Sequence, residues 1–204
     1  MKLIRVAQIA AVAVASATLL VACGSPARTP ATSATTASGG GTTAVAQHNA
    51  ADTTFAQMMV VHHEGAVEMA ELAEETAESS EVRSLASRIK GAQGPEIDQM
   101  RGWLEEWGEP APEDSDMGGM GHGGMDMGGL DQQAAMDELT KLTGSDFDQR
   151  FLTLMIQHHE GAISMAEQQI ADGENEAAIG LAEAIISAQQ KEIAEMQGLL
   201  EGLD

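Results

Sequence analysis

Apolar residues recur at intervals of three and four along two long stretches of the chain, which is the spacing of one face of an α-helix. The matching positions are Leu85, Ile89, Ile97, Met100 and Leu104 in one stretch and Leu181, Ile185, Ile193, Met196 and Leu200 in the other. The alternation typical of β-strands is absent from the sequence. Together with the segments before them, these stretches predict long helices over residues 52–77, 81–107, 147–171 and 176–203, and a shorter helix over 131–142.

The two halves of this pattern are an internal repeat. Residues 52–108 align with residues 148–204 without a gap. Each repeat contains two predicted helices with a short connection, so the two helices are expected to lie antiparallel. Two such hairpins, each with one apolar stripe, can bury the stripes against one another. The predicted fold is therefore all-α, a four-helix bundle built from two repeated helical hairpins.

The predicted helices have recognisable ends and one interruption. Ser145, with Asp148 three residues later, is typical of a helix start, and Asp172 with Gly173 is typical of a helix end. Pro95 lies inside the second predicted helix, where it is expected to kink or break the helix because it lacks an amide donor and its ring crowds the preceding turn. Its aligned residue, Lys191, imposes no such interruption.

Residues 1–22 predict an export signal. Lys2 and Arg5 form a short basic start, an apolar run follows, and the segment LVAC ends at Cys23. This order resembles a bacterial lipoprotein signal, with cleavage before Cys23 and lipidation of its thiol, although an ordinary secretory signal with an incidental cysteine is the alternative. The run is too short and too alanine-rich to predict a membrane-spanning helix. We therefore expect an exported lipoprotein anchored on the extracytoplasmic side of the cell membrane.

Two further regions lack the bulky residues of a core. Residues 23–50 consist mainly of Ser, Thr, Ala, Gly and Pro after the cysteine, which predicts a flexible linker. Residues 109–130 are rich in methionine and glycine and predict a mobile loop between the repeats. The folded domain is therefore expected over residues 51–204.

Charge and composition exclude several classes of function. The chain carries 10 basic and 32 acidic residues, a formal net charge of -22 at pH 7. This disfavours a nucleic-acid partner, because phosphate contacts depend on Lys and Arg. Since Cys23 is the only cysteine, the domain has no disulfide and no thiolate ligand. Tyrosine, a nucleophile motif and a phosphate-binding glycine loop are all absent, so we expect no enzymatic activity.

Two paired-histidine motifs carry the candidate chemistry. On a helical wheel His62 lies within the apolar stripe of the first helix and His63 at its edge, and His158 and His159 repeat this in the second copy. Glu64 falls on the opposite side and is expected in water. A single such histidine is usually a hydrogen-bonded core residue, but four can meet where the two hairpins pack. Burying four imidazoles is costly unless a metal ion or trapped waters satisfy them.

Methionines accompany these histidines in the helices and in the loop. Those near the histidines are Met59, Met69, Met155 and Met165, and those in the loop are Met117, Met120, Met125 and Met127, around His122. The helical methionines lie at core spacing and can simply fill space. The loop methionines have mostly glycine neighbours, so packing does not explain them. Imidazole and thioether without thiolate favour copper(I), or the similar silver(I), over zinc, calcium or magnesium.

The motifs resemble the bacterial "domain of unknown function 305" family. The resemblance covers about residues 51–204 and rests on FAQMMVVHHEGAVEMA, FDQRFLTLMIQHHEGAISMA, AQGPEIDQMRGWL and AQQKEIAEMQGLL. It implies an all-helical, ferritin-like bundle that is often exported and binds copper in some members. Carried over by position, the implied ligands are His62, His63 and Met69 in the first repeat and His158, His159 and Met165 in the second. Pro95 is a departure from the family.

Three functions are open on the sequence alone. The first is a surface-anchored protein that sequesters copper(I), or exchanges it with a donor or acceptor protein, without turnover. The second is a non-metal envelope protein whose histidines satisfy one another and whose loop methionines scavenge oxidants. The third, a ferritin-like di-metal oxidase, is disfavoured because no Glu lies three residues before His62 or His158. Imidazole nitrogens more than roughly 6 Å from a common centre could not share an ion at bond lengths of about 2 Å.

Overall fold

A computed structural model describes residues 47–112 and 129–203. In chain order its helices are α1 (Ala50–Thr76), α2 (Ser80–Trp107), the short α3 (Gln132–Leu139), α4 (Gly144–Asp172) and α5 (Glu176–Leu203). No strand occurs within these two ranges. The protein is therefore all-α, as the apolar periodicity predicts, and the predicted end of α4 at Asp172 and Gly173 is confirmed.

The long helices pack in consecutive pairs. α1 lies along α2, α4 lies along α5, and the two pairs meet where α1 contacts α4. The short α3 packs on α4. Because α1 and α4 carry the paired-histidine motifs, the contact between the two pairs is also the place where the motifs meet.

Two apolar clusters form the core along the α1–α4 contact. One joins the C-terminal half of α1 to the N-terminal half of α4 and includes Phe147 and Phe151, whose rings lie 6.2 Å apart. The other joins the opposite halves and includes Phe55, Met100 and Ala162. Each fully buried large side chain contributes roughly 1.5–3 kcal/mol relative to exposure, so the two clusters hold the helix pairs together.

Asp148 caps the turn between α1 and α2 rather than its own helix. α4 begins at Gly144 without a side-chain capping hydrogen bond, so the predicted helix start at Ser145 and Asp148 was wrong. The Asp148 carboxylate is buried and accepts hydrogen bonds from the backbone N–H groups of Glu78 at 3.0 Å and Ser79 at 2.7 Å. The prediction failed because a turn distant in sequence provides the donors for this carboxylate.

Asp52, which aligns with Asp148, does the same for the turn between α4 and α5. It accepts hydrogen bonds from the backbone N–H groups of Glu174 and Asn175, each at 3.2 Å, and also belongs to the capping box of α1 with Asn49. Burial alone raises the pKa of its carboxyl, but the hydrogen bonds from Asn49, Gln169, Asn175 and Glu174 outweigh burial and hold the pKa below its usual value. Each helix pair is thus capped by an aspartate of the other.

Pro95 does not interrupt α2, which continues through this position as one helix, so the predicted break was wrong. Proline inside a helix costs about 3 kcal/mol through its lost amide donor and its clash with the preceding turn. The residue before it is Gly94, which has no Cβ to meet the proline ring. Buried Ile89 and Met100 on either side of Pro95 anchor both halves of α2 in the core.

The described chain begins at Gln47, within the predicted linker, and these residues contact the helices. The Asn175 side chain donates a hydrogen bond to the Gln47 carbonyl at 2.9 Å. The His48 ring stacks on Trp107, with 4.6 Å between ring centroids and 5° between planes. These contacts fix the N-terminal end of α1 against the ends of its neighbours.

The predictions of a signal peptide, a lipidated Cys23 and a mobile methionine loop concern residues that lie largely outside the described ranges, and they stay predictions. The described part of the loop comprises residues 109–112 and 129–130. None of the described helices combines the length and the apolar character needed to cross a membrane.

The capping role of Asp148 can be tested by replacing it with alanine. Asp148→Ala leaves two backbone donors without their charged acceptor, which we expect to lower the free energy of unfolding by about 2–3 kcal/mol. Urea denaturation followed by circular dichroism measures this loss. The matched control is Ser145→Ala, at the exposed predicted helix start, which should change stability by less than about 0.5 kcal/mol. Equal effects of the two substitutions would contradict the capping role.

Candidate functional site

Four histidines occupy the level between the two apolar clusters. His62 and His158 are 1% and 3% exposed, and His63 and His159 are fully buried. The helical-wheel prediction that these side chains face inward is therefore confirmed. Glu64 lies on the outer side of α1, as predicted, and its carboxylate forms an ion pair with Arg101 at 2.7 Å.

His62 and His158 form the centre of this histidine layer. Their rings stack with 3.6 Å between centroids and 24° between planes. His158 Nε2 lies 2.9 Å from the His62 carbonyl oxygen, and because a carbonyl only accepts, Nε2 carries the proton and donates it. Burial, reinforced by the nearby His159 and His63, lowers the pKa of His158 to about 3, so the ring is neutral. Its Nδ1 therefore holds a lone pair, and this buried atom has no hydrogen-bond partner.

The outer histidines each contact a carboxylate from the second helix of their own pair. His63 Nε2 donates to Glu96 at 2.7 Å, and His159 Nε2 donates to Glu192 at 2.7 Å. The Nδ1 atoms of both rings are buried without a hydrogen-bond partner. A carboxylate on the far nitrogen fixes the ring and raises the basicity of the other nitrogen, which is the arrangement that commonly supports metal-binding histidines.

These nitrogens do not form a complete ligand set by themselves. Within residues 47–112 and 129–203, no group of three or more His, Cys, Asp or Glu side chains is arranged to hold a metal ion. Stacked rings hold their lone pairs in nearly parallel planes, whereas imidazoles that share an ion direct their lone pairs at one point about 2 Å from each nitrogen. The four histidines therefore share one layer but not one coordination centre, and an ion there needs a further type of donor or a rotated ring.

Methionines of the two apolar clusters flank this layer and are the candidate further donors. Met69 and Met155 belong to the apolar cluster on one side of the histidines, and Met59 and Met165 belong to the cluster on the other side. Met165 is partly exposed and the other three are fully buried. Met59 and Met155 precede the central histidines by three residues and therefore share their helix face. The predicted loop ligands lie outside the described residues: Met117, Met120, His122, Met125 and Met127.

α2 and α5 contribute polar residues to this layer that were not predicted from the sequence. Besides Glu96 and Glu192, these are Gln93 and Gln189, each 3% exposed, whose Oε1 atoms are buried without a hydrogen-bond partner. A signal was available, because the aligned segments AQGPEI and AQQKEI place Gln and Glu at the same positions of both repeats. Apolar residues repeated every three to four positions predict which apolar side chains are buried. The same pattern gives no prediction for polar residues on that helix face.

A cleft of about 210 Å³ reaches the central pair from the surface. The buried rings of His62 and His158 lie at its base, and Glu64, Glu68 and Gln132 line its outer part. The histidine layer is therefore enclosed in the core but lies next to a space that a small ion can enter.

The neutral state of His158 predicts that the metal-free protein loses stability in acid. The ordinary pKa of a histidine, which applies in the unfolded chain, is 6.5, whereas the pKa of His158 in the folded protein is about 3. Between these two pH values the unfolded state therefore binds one more proton at this residue than the folded state does. Stability therefore falls as pH is lowered, by up to about 1.4 kcal/mol per pH unit from this group. Urea denaturation of chelator-treated protein between pH 7 and pH 4.5 should show a shallower slope for His158→Gln. Identical slopes would mean that His158 is not held neutral.

The family of the chain follows from comparison with known proteins. Residues 52–200 match the family described as Domain of unknown function (DUF305). A DUF305 protein from Streptomyces coelicolor, described as a candidate secreted protein, is 34% identical with a TM-score of 0.66, over 75% of this chain and 93% of that one. CopM in its Cu(II)-bound form is 33% identical with a TM-score of 0.63, over 75% of this chain and 97% of that one.

A second structure, CopM in its Cu(I)-bound form, is 30% identical with a TM-score of 0.61 and covers 74% of this chain and 96% of that one. No functionally curated protein gave a significant match. The family match spans most of the chain and agrees with the resemblance seen in the paired-histidine motifs. The chain therefore belongs to the DUF305 family.

Proposed function

We propose that this protein binds copper(I) through its paired histidines and methionine thioethers, and sequesters the ion or passes it to a partner protein without turnover. One observation carries the proposal: His63, His158 and His159 each have one ring nitrogen in a hydrogen bond and the other buried without a hydrogen-bond partner. Leaving such a polar atom unsatisfied costs about 1–3 kcal/mol, so three of them in one layer are expected to have a ligand.

The donors beside these nitrogens favour a soft ion. Thioether and imidazole ligands suit copper(I), whereas zinc sites favour thiolate, imidazole and carboxylate and calcium sites favour oxygen. We infer that His62, His63, Met59 and Met69 from α1 and His158, His159, Met155 and Met165 from α4 supply the core ligands. Met117, Met120, Met125 and Met127 around His122 are a second, loop-borne set. That CopM, a similar protein, has Cu(I)-bound and Cu(II)-bound forms supports the same cargo here.

We further infer that the four long helices form a ferritin-like four-helix bundle made of two repeats. The α1–α4 contact and the ion pair between Arg88 of α2 and Glu195 of α5 support this arrangement. Export and lipidation at Cys23 would anchor the domain outside the cell membrane through the linker of residues 23–50. The description of the Streptomyces coelicolor relative as a candidate secreted protein supports export. Outside the cytoplasm, where thiols are readily oxidised, methionine is a suitable ligand for copper(I).

A non-metal envelope protein is the second candidate. The bonds from His63 to Glu96 and from His159 to Glu192 favour it, because they satisfy one nitrogen of each ring without an ion. It gives no role to the remaining buried nitrogens. A di-metal oxidase is weaker still: the two glutamates supply one carboxylate from each of two helices, but neither paired-histidine motif has the Glu-x-x-His spacing.

Competitive titration with copper(I) tests the proposed function. We compare residues 24–204, which contain the linker and the domain but not Cys23, with a variant in which His62, His63, His158 and His159 are all replaced by glutamine. We expect the variant to bind at least roughly a hundredfold more weakly, since losing supporting groups alone costs 10–100-fold at metal sites. The matched control is His48→Gln, a histidine stacked on Trp107 away from the layer, which should retain the parental affinity.

The outcomes of this titration separate the candidates. Equal binding by parent and quadruple variant would place copper on the loop and make the paired histidines structural. Absence of competitive binding by the parent would overturn the copper proposal in favour of the non-metal envelope protein. Circular dichroism of the quadruple variant verifies that its helices are retained.

The carboxylates behind the outer histidines provide a second test. The double variant Glu96→Gln with Glu192→Gln keeps the side-chain shape but removes the charge that orients and polarises His63 and His159. We expect copper(I) affinity to fall by about 10–100-fold in the same competition assay. The control is Glu105→Gln with Glu201→Gln, an aligned and exposed pair on the same two helices, which should leave affinity unchanged. Equal affinities of the two double variants would remove the glutamates from the site.

A further inference from the structure

One side chain of α3 lines the cleft above the central histidines. Gln132, the first residue of α3, donates from Nε2 to the Gly65 carbonyl at 3.0 Å and to the Glu68 carboxylate at 3.1 Å. Both acceptors belong to α1, and all three residues line the cleft that reaches His158. The Gln132 side chain therefore links α3 to α1 along the cleft that leads to the central pair.

Gly65 is what allows this amide to lie so close to α1. A Cβ added at this glycine would lie 2.7 Å from Gln132 Oε1, which is closer than such atoms approach, so the amide would have to move. The obstructing atom is the far end of a flexible side chain, which can swing away at little cost. The position of Gln132 over the cleft thus depends on the absence of a side chain at Gly65.

Charge and donor chemistry inside the cleft both suit a cation. Glu68, like Glu64, is exposed at its outer part, so a cation arriving from solvent meets carboxylates before the buried histidines. At the inner end lies His158, which is buried and whose Nδ1 has no hydrogen-bond partner. The residue of the second repeat that aligns with Glu68 is Ser164, so the Glu68 carboxylate has no counterpart there.

We propose that this cleft is the access route by which copper(I) reaches the central histidine pair, and that Gln132 is a side-chain gate held closed by Glu68. The inference rests on the proposed copper function and adds a route and its control. A cation that binds the Glu68 carboxylate competes with the Gln132 amide for the same oxygens. The amide then loses its charged acceptor and moves out, and the ion passes inward to His158.

The rate of copper(I) release tests the gate. The protein comprising residues 24–204 is loaded with copper(I) and mixed with an excess of a colorimetric copper(I) chelator. Stopped-flow absorbance then follows the formation of the copper(I)–chelator complex. Because the gate is held by one ordinary and one charge-assisted hydrogen bond, we expect Gln132→Ala to release copper(I) at least about tenfold faster. Equilibrium affinity should stay within about threefold of the parent, since a gate that is not a ligand speeds entry and exit alike.

Gly65→Ala opens the same gate from the other side of the contact. It displaces the Gln132 amide sterically, which breaks the same two hydrogen bonds, and should also release copper(I) at least about tenfold faster. Alanine is the better helix former, so this substitution does not weaken the intrinsic helix preference of α1. The matched control is Gln133→Ala, the next residue of α3, whose exposed amide bonds only to Asp137. It should release copper(I) at the parental rate.

The outcomes separate the route from the function. Parental release rates in both Gln132→Ala and Gly65→Ala, with parental affinity, would overturn the gate while leaving copper binding intact. Failure of the parent to bind copper(I) would overturn the proposed function itself. In metal-free protein, a histidine-acylating reagent followed by peptide mass spectrometry should modify His158 faster in both gate variants than in Gln133→Ala. Equal modification in all three would also overturn the gate.

Discussion

The contact between α1 and α4, where the His62 ring stacks on the His158 ring at 3.6 Å, is the interaction on which the rest of the structure depends. It places polar rings in the middle of an apolar interface, where each nitrogen needs a partner. The backbone carbonyl of His62 satisfies one nitrogen of His158, and Glu96 and Glu192 satisfy one nitrogen of each outer ring. The Nδ1 atoms of His63, His158 and His159 keep lone pairs that no hydrogen bond uses, and these are the candidate metal ligands.

The remaining architecture keeps this contact in register. Asp52 and Asp148 each cap the turn of the opposite helix pair, so that α1 and α4 are fixed at both ends of their shared interface. The apolar clusters on either side of the histidines prevent the helices from sliding past one another. Because these clusters contain the methionines, the packing that fixes the histidines also brings thioethers beside them. The net charge of -22 then favours the approach of cations to the whole surface.

Much of the fold could be predicted from the sequence because helix formation and helix burial both follow apolar periodicity. The apolar positions predicted the long helices, and the helical wheel placed His62 and His158 correctly inside. The errors concern single residues whose partners are distant in sequence. Asp148 has the sequence spacing of a residue that caps its own helix, but its carboxylate accepts hydrogen bonds from the turn after α1. Pro95 is of the residue type that breaks helices, but it follows a glycine and lies between buried residues that hold both halves of α2 in the core.

The site was less predictable than the fold for the same reason. Glu96 and Glu192 contact His63 and His159 only because α2 and α5 pack on α1 and α4. From the local sequence alone, both glutamates are predicted to be surface residues. Gln132 depends on a contact between α3 and a glycine of α1 that no periodicity encodes. The chemical type of the candidate ligands depends less on packing, since the donor atoms of histidine and methionine are the same in any arrangement. The assignment of these residues to a soft metal ion stays a prediction.

X-ray absorption spectroscopy of the copper(I)-loaded domain tests the central claim most directly, with Met117, Met120, Met125 and Met127 replaced by leucine to remove the loop sulfurs. If copper(I) is held by the histidine layer and its flanking methionines, the spectrum will show imidazole nitrogen and thioether sulfur as ligands of the same ion. A spectrum without imidazole nitrogen, or a protein that no longer retains copper(I), would contradict binding in the helical core.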